Sequence, residues 1–393
     1  MHNSVTKRGR LRTIAGATLV GVWLITAGCA APERLREPAK LVELTTSLPV
    51  KRDWLKVMLS EQGRVDYSLN LTVDERYFYW SDRRGRLHAL SVHNGRETWI
   101  AQPEDPISSR PGGTGELLLY GTRGGEAVAV RKTDGVLVWR SQLSSEILSQ
   151  PRSAEGIVVV YCADGNIYGL DEINGGERWH YESKVPLLSL RGTADPVITE
   201  GRVILGLADG KLAAVDLWDG TLKWSAELAT SRGRSELERM VDIDGTPVVD
   251  DGVVYAVAYQ GRVAAVSLAT GRLLWSRELS ASLDLAVGAE QIYVVDTEGS
   301  VISLDKKTGS ILWKQDYLQG RYLTAPRLYR DYIIVGDFEG YSHWLDRREG
   351  HLLHRQRSDD TPIDVAPVVA HDSVYMMSRG GVIDVMRLTS PAK

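Results

Sequence analysis

Cysteine is almost missing. Cys29 and Cys162 are the only two in 393 residues, too few for a disulfide framework. A surplus of positive charge is missing as well. The 47 Lys and Arg stand against 51 Asp and Glu, a formal net charge of −4, and nucleic acid as a partner is excluded for want of a basic patch to displace counterions. Long apolar runs are confined to Thr13 to Ala27, which is short for a membrane span. Catalytic signatures are also scarce. There is no G-x-S-x-G elbow and no defensible Ser/His/Asp order. The eight histidines are scattered, and His351 and His354, three apart on an expected strand, point to opposite faces. Gly206 to Lys211 is one residue short of a phosphate loop and is followed by Leu212 where Ser or Thr is required. Asp242-Ile243-Asp244-Gly245 opens like a calcium loop but lacks the later ligands and the terminal Glu. No enzymatic activity, metal or cofactor is expected.

A repeat is present instead. Seven times a glycine is followed ten residues later by a second glycine and four beyond that by an aromatic ring: Gly85/Gly95/Trp99, Gly125/Gly135/Trp139, Gly165/Gly175/Trp179, Gly210/Gly220/Trp224, Gly261/Gly271/Trp275, Gly299/Gly309/Trp313 and Gly340/Gly350/His354. The first glycines are separated by 40, 40, 45, 51, 38, 41 and 41 residues, the last interval ending at Gly381 of an incomplete eighth copy. A unit of this size cannot bury its own apolar face, so the copies must stack. The fifth reads as four short strands: Thr246 to Val249, Val253 to Tyr259, Arg262 to Leu268 and Arg272 to Leu279, with turn signals between them. Pro196, Pro247, Pro326 and Pro367 open first strands, where a missing N–H costs least. Helical periodicity is absent throughout the repeats.

Four strands per 40 to 45 residues is the pattern of a β-propeller blade. The expectation is an all-β chain, an eight-bladed propeller of four-stranded antiparallel blades. The eighth copy lacks its outermost strand and its Trp, while Lys51 to Met58 stands alone before the first blade. This N-terminal segment is expected to close blade eight, with Trp54 in the vacant slot. Trp54, Trp99, Trp139, Trp179, Trp224, Trp275 and Trp313 are then structural rings that fill the wedges between blades. His354 breaks the series and predicts a looser blade seven.

The first 28 residues differ in kind. Lys7, Arg8, Arg10 and Arg12 precede the apolar stretch, which ends Ile25-Thr26-Ala27-Gly28-Cys29. This resembles a bacterial lipoprotein signal, with cleavage before Cys29 and lipidation of its thiol; Thr26 departs from the usual Leu. Ala30 in place of Asp favours outer-membrane sorting. Cleavage would leave 43 basic and 51 acidic residues, a net charge of −8. Residues 29–48 are expected to be a lipidated tether, residues 49–390 the propeller, and Cys162 a packed core thiol.

Function in a repeat protein tends to sit where the repeat is interrupted. The two long intervals surround Ser183 to Thr246. One insertion is Lys184 to Gly192; the other runs from Ala229 to Asp244. The first offers leucines beside an arginine, which suits a protein-binding hot spot, and the second supplies carboxylates.

Two resemblances bear on this. Asp305 to Trp313 matches the D-x-x-T-G-x-x-x-W motif of pyrroloquinoline-quinone dehydrogenases, also eight-bladed, and a short quinoprotein dehydrogenase is the alternative reading. That family is longer and has a calcium site and often a vicinal disulfide, for which this chain has neither length nor cysteines. Over nearly its whole length the chain more closely resembles the BamB family of outer-membrane β-barrel assembly lipoproteins, on Leu187 to Gly192, Asp242 to Val249 and Val335 to Trp344. The resemblance implies a non-catalytic scaffold, lipid-anchored at the outer membrane and facing the periplasm. It further implies binding to the POTRA domains of the central barrel subunit through Leu188, Leu190, Arg191, Asp242 and Asp244. Unfolded outer-membrane protein clients, adding to exposed strand edges, are a further expected partner. A propeller sensor or adhesin unrelated to barrel assembly is a third possibility.

Overall fold

In each repeat the strands pair in chain order, and the first strands of successive repeats meet one another around a common axis. The computed structural model describes residues 37–44, 48–58, 71–82, 85–113, 115–186, 193–230 and 240–389. Among these, all regular structure is strand, arranged as eight antiparallel sheets. Blade five runs Val248–Asp250, Val253–Val257, Arg262–Ser267 and Leu273–Glu278 from the axis outward. Its first hairpin turns through Asp251 and Gly252 at φ 48° and 70°, the pair of positive angles that matches the twist of the flanking strands. Blade two departs from the rule. Its sheet has three strands, and Gly112, between Pro111 and Gly113, fills the inner position with a single bridge to Leu119.

The ring is closed by the front of the chain. Val50–Val57 pairs antiparallel with Val382–Leu388 to complete blade eight. Arg52 donates two hydrogen bonds of 2.7 Å to the fully buried carboxylate of Asp384, and Arg387 pairs with Asp53 at 2.9 Å.

The core is a set of wedges rather than one mass. Each apolar cluster combines two neighbouring blades: Ile204, Leu212 and Ala214 with Val254, Ala256 and Ala264, for example. Leu71, Phe78 and Leu90 of blade one pack with Tyr375, Ile383 and Val385 of blade eight, so the closing wedge is built like the others. Cys162 lies fully buried in the wedge between blades two and three, and burial pushes its thiol up to about 12.

The glycine–tryptophan spacing has a steric cause that spans two blades. A Cβ on the second glycine would fall against the Trp of the preceding blade: Gly135 on Trp99, Gly175 on Trp139, Gly220 on Trp179, Gly271 on Trp224, Gly309 on Trp275 and Gly350 on Trp313, all at 2.4–2.8 Å. Gly95 takes Trp54 in the same way at 3.3 Å. The indole N–H of each ring from Trp99 to Trp313 donates to a backbone carbonyl of the next blade, as Trp179 does to Leu217 at 2.7 Å. Across the sheet each ring faces a small residue: Ala89, Ala129, Gly169, Ala214, Ala265 or Ser303. Truncating one ring would cost roughly 3–5 kcal/mol.

Blade seven corrects one expectation. His354 faces Trp344, which is fully buried and meets the imidazole edge-on at 6.0 Å. The large and small partners have exchanged strands, the volume is kept, and Tyr329 and Tyr332 pack on the transposed indole. The blade is filled, not loosened.

Candidate functional site

Because strand directions alternate, every connection from one blade to the next emerges on the same face as the turns between second and third strands. Those turns divide the ring. The residue three before the first glycine caps the turn in five blades. Asp82, Thr122, Asp296, Asp337 and Ser378 accept backbone N–H bonds of 2.9, 3.0, 2.7, 3.0 and 3.2 Å from the residue four places on. In blades three, four and five the same position holds Cys162, Leu207 and Ala258, all buried. These three consecutive blades flank the two insertions.

Ser183 anchors the entry to the first insertion by donating to Gly165 O at 2.8 Å. Leu188, Leu190 and Arg191 lie outside the described residues, as do 231–239 of the second insertion. The exit of the second insertion is held by Val241 and Ile243, which enter the wedge between blades four and five. Alternation then assigns Asp242 and Asp244 to the other side of this extended run. Asp242 is 2% exposed, and its carbonyl accepts the Tyr259 N–H at 2.8 Å. Asp244 is half-buried and its Oδ1 has no hydrogen-bond partner among the described residues. Burial alone pushes its carboxyl up to about 6. On the neighbouring turn, Asp209 pairs with Lys211 through one oxygen while the other is buried without a partner. Burial, followed by the nearby Asp242 and Asp209 charges, raises the Tyr161 phenol above its ordinary value. Among the described residues, the sector therefore brings the carboxylates of Asp209, Asp242 and Asp244 together.

Two other features share this face. Residues 39–42 are held at the junction of blades six and seven. Ala39 N donates to Gln319 O at 2.9 Å, and Arg321 and Arg355 donate to the carbonyls of Ala39 and Val42 at 3.1 and 3.2 Å. At the axis, a cavity of about 330 Å³ opens among the inner strands, lined by Arg110, Arg152, Asp195, Asp284 and Arg327 together with small and aliphatic residues. No aromatic side chain lines it, and among the described residues no group of three or more His, Cys, Asp or Glu could hold a metal. These residues do not fit a planar quinone with a calcium ion. The Asp305 motif has a local role: its carboxylate accepts from Lys307 N, Thr308 N and Thr308 Oγ1 at 3.1, 2.8 and 2.7 Å, locking a blade turn.

The turn substitutions at Cys162, Leu207 and Ala258 went unread in the sequence. Aligning the copies on their first glycines would have exposed them.

Comparison with known proteins gives a consistent answer. The family model described as outer membrane protein assembly factor BamB matches residues 83–315 and 285–390. A relative from Pseudomonas aeruginosa with that name is 37% identical over 366 residues, 93% of this chain and 96% of its own length. Another, from Yersinia pestis, is 35% identical over 314 residues, 77% of this chain and 80% of its own. The crystal structure of BamB from Moraxella catarrhalis superposes with a TM-score of 0.79 at 29% identity, covering 86% of this chain and 100% of that one.

Proposed function

The chain belongs to the BamB family of outer membrane protein assembly factors, and from that premise we propose that it is a non-catalytic scaffold for inserting β-barrel proteins into the outer membrane. It is anchored by lipid on Cys29, faces the periplasm, and binds the POTRA domains of the central barrel subunit. The binding site is the interrupted sector, with Leu188 and Leu190 as apolar anchors and Arg191, Asp242 and Asp244 as its charged members. One observation carries this reading: the described ends of both insertions, the three turns whose capping position is Cys162, Leu207 or Ala258, and an Asp244 oxygen with no partner among the described residues belong to the same run of blades. Apolar anchors beside an arginine suit a desolvated contact centre, and a partner cation would complete the hydrogen bonding of Asp244. Client segments that add to the exposed outermost strands are a secondary contact.

The test is co-purification of the barrel subunit from detergent-solubilised envelopes. Leu190→Glu and Arg191→Glu should each abolish it while the melting curve stays that of the wild type. Retained co-purification, or a collapsed melting curve, would contradict the assignment.

A further inference from the structure

Among the described residues, the axial cavity contains a charge imbalance. Three guanidinium groups meet two carboxylates there. Arg327 donates to Asp284 Oδ2 at 2.7 Å, and Asp284 Oδ1 accepts from Thr246 N at 2.9 Å. Arg110 donates to Asp195 Oδ2, and Asp195 Oδ1 accepts from Gln150 N at 2.7 Å. Both acids are thereby occupied. Arg152 comes no nearer than 3.8 Å to Asp195 Oδ2, the oxygen already taken by Arg110. The Arg152 side chain is 43% exposed and lines the cavity. Its guanidinium is held below its ordinary value, first by partial burial, with Arg110 opposing its charge and Asp195 supporting it.

We infer that this cavity binds the terminal carboxylate of an extended polypeptide, with Arg152 as the recognition fork. The excess of one positive charge matches a monoanion. A planar guanidinium with free donors matches a carboxylate bidentately. The walls beside it are aliphatic, from Val248, Leu285, Val287 and Leu328, so the ligand must carry an apolar side chain next to its acid. A cavity of about 330 Å³ is at the small end for ligand sites and accommodates a terminal residue rather than a large cofactor. The site lies at the axial mouth of the face that bears the insertions: Asp195 follows the first by three residues and Thr246 follows Asp244 by two. This inference goes beyond the scaffold reading and does not depend on it.

The probe is a fluorescein-labelled hexapeptide ending in Val-Leu, prepared as the free acid and as the C-terminal amide, and titrated into the full chain in detergent at pH 7.5. The acid should bind at least about tenfold more tightly than the amide, on the scale of one charge-assisted hydrogen bond. Arg152→Gln should bring the acid down to the affinity of the amide, and Arg152→Lys should fall between. All three proteins should melt together, since the Arg152 side chain makes no hydrogen bond among the described residues and its ion-pair contact with Asp195 is 3.8 Å long. Equal binding of acid and amide, no saturable binding of either, displacement by equimolar inorganic phosphate, or an Arg152→Gln protein that binds like the wild type would each overturn the proposal. The acid–amide comparison on the unaltered chain needs no variant and no barrel subunit, so its outcome is separate from that of the scaffold assignment.

Discussion

Blades six and seven and blades three to five present the same turns on the same face, yet they satisfy them differently. In the regular sector, Asp296 and Asp337 each accept two backbone N–H groups of their own turn. Asp337 also accepts from the buried Arg321 at 2.8 Å and contacts the fully buried His343 at 2.8 Å. In the interrupted sector the capping position is Cys162, Leu207 or Ala258, and carboxylate oxygens of Asp209 and Asp244 are left over. Buried polar atoms without a partner among the described residues occur in both sectors: Ser303 Oγ, His343 Nδ1, Trp344 Nε1 and His354 Nε2 in blades six and seven, and one oxygen each of Asp209 and Asp244 in the interrupted sector. The difference is one of chemistry. In the interrupted sector carboxylate oxygens are left over, in the regular sector neutral ring and hydroxyl groups, and a carboxylate is the group that a cationic partner would complete.

The contrast can be broken at several strengths. Asp337→Ala should be the most damaging. It leaves Arg321 and His343 buried with lost partners, a loss of about 3–5 kcal/mol by denaturant unfolding. A cost near zero would mean that the regular sector does not depend on its caps.

Asp244→Asn should act in the opposite direction. The folded carboxyl titrates near 6 against an unfolded value of about 3.9, so the folded state holds the extra proton between those values. Asp244 therefore contributes a loss of stability of about 3 kcal/mol as pH rises from about 4 to 6. Measured against the wild type, the Asn variant should gain stability over this range and be the more stable protein at pH 8. A difference between the two profiles that stays flat between pH 4 and 6 would remove the argument that Asp244 lacks a partner. Binding of a cationic partner should lower the Asp244 pKa and release a proton near pH 6, measurable by calorimetry in two buffers of different ionisation enthalpy.

Asp296→Ala, which removes a cap without stranding a buried charge, should cost about 1 kcal/mol. Leu207→Ala at the equivalent position of blade four should instead behave as a core truncation of about 2–5 kcal/mol. If the two changes cost the same through loss of turn hydrogen bonds, the sectors do not differ in the way described.

Much of this was open to reading along the chain, for identifiable reasons. The Gly-to-Trp spacing is visible because the second glycine must accept the indole of the preceding blade, a demand no other residue meets at that distance. The closing strand is visible because blade eight lacks a strand and residues 51–58 lack a sheet. The exchange of His354 with Trp344 was missed because position alone was followed, whereas packing conserves the volume of a facing pair. The axial arginines could not be anticipated: Arg110, Arg152 and Arg327 come from three separate blades and meet only once the ring closes. The partner-contact residues rested on family resemblance, and of them the structure places only Asp242 and Asp244.

The central claim is that the interrupted sector, not the regular one, meets the barrel subunit. A photo-crosslinking residue at position 190, and another at the 70%-exposed Tyr322 beside the regular junction of blades six and seven, put both sectors to the same trial in intact envelopes. Crosslinks to the barrel subunit from position 190 and none from 322 are predicted. Crosslinks from 322 with none from 190 would contradict the account.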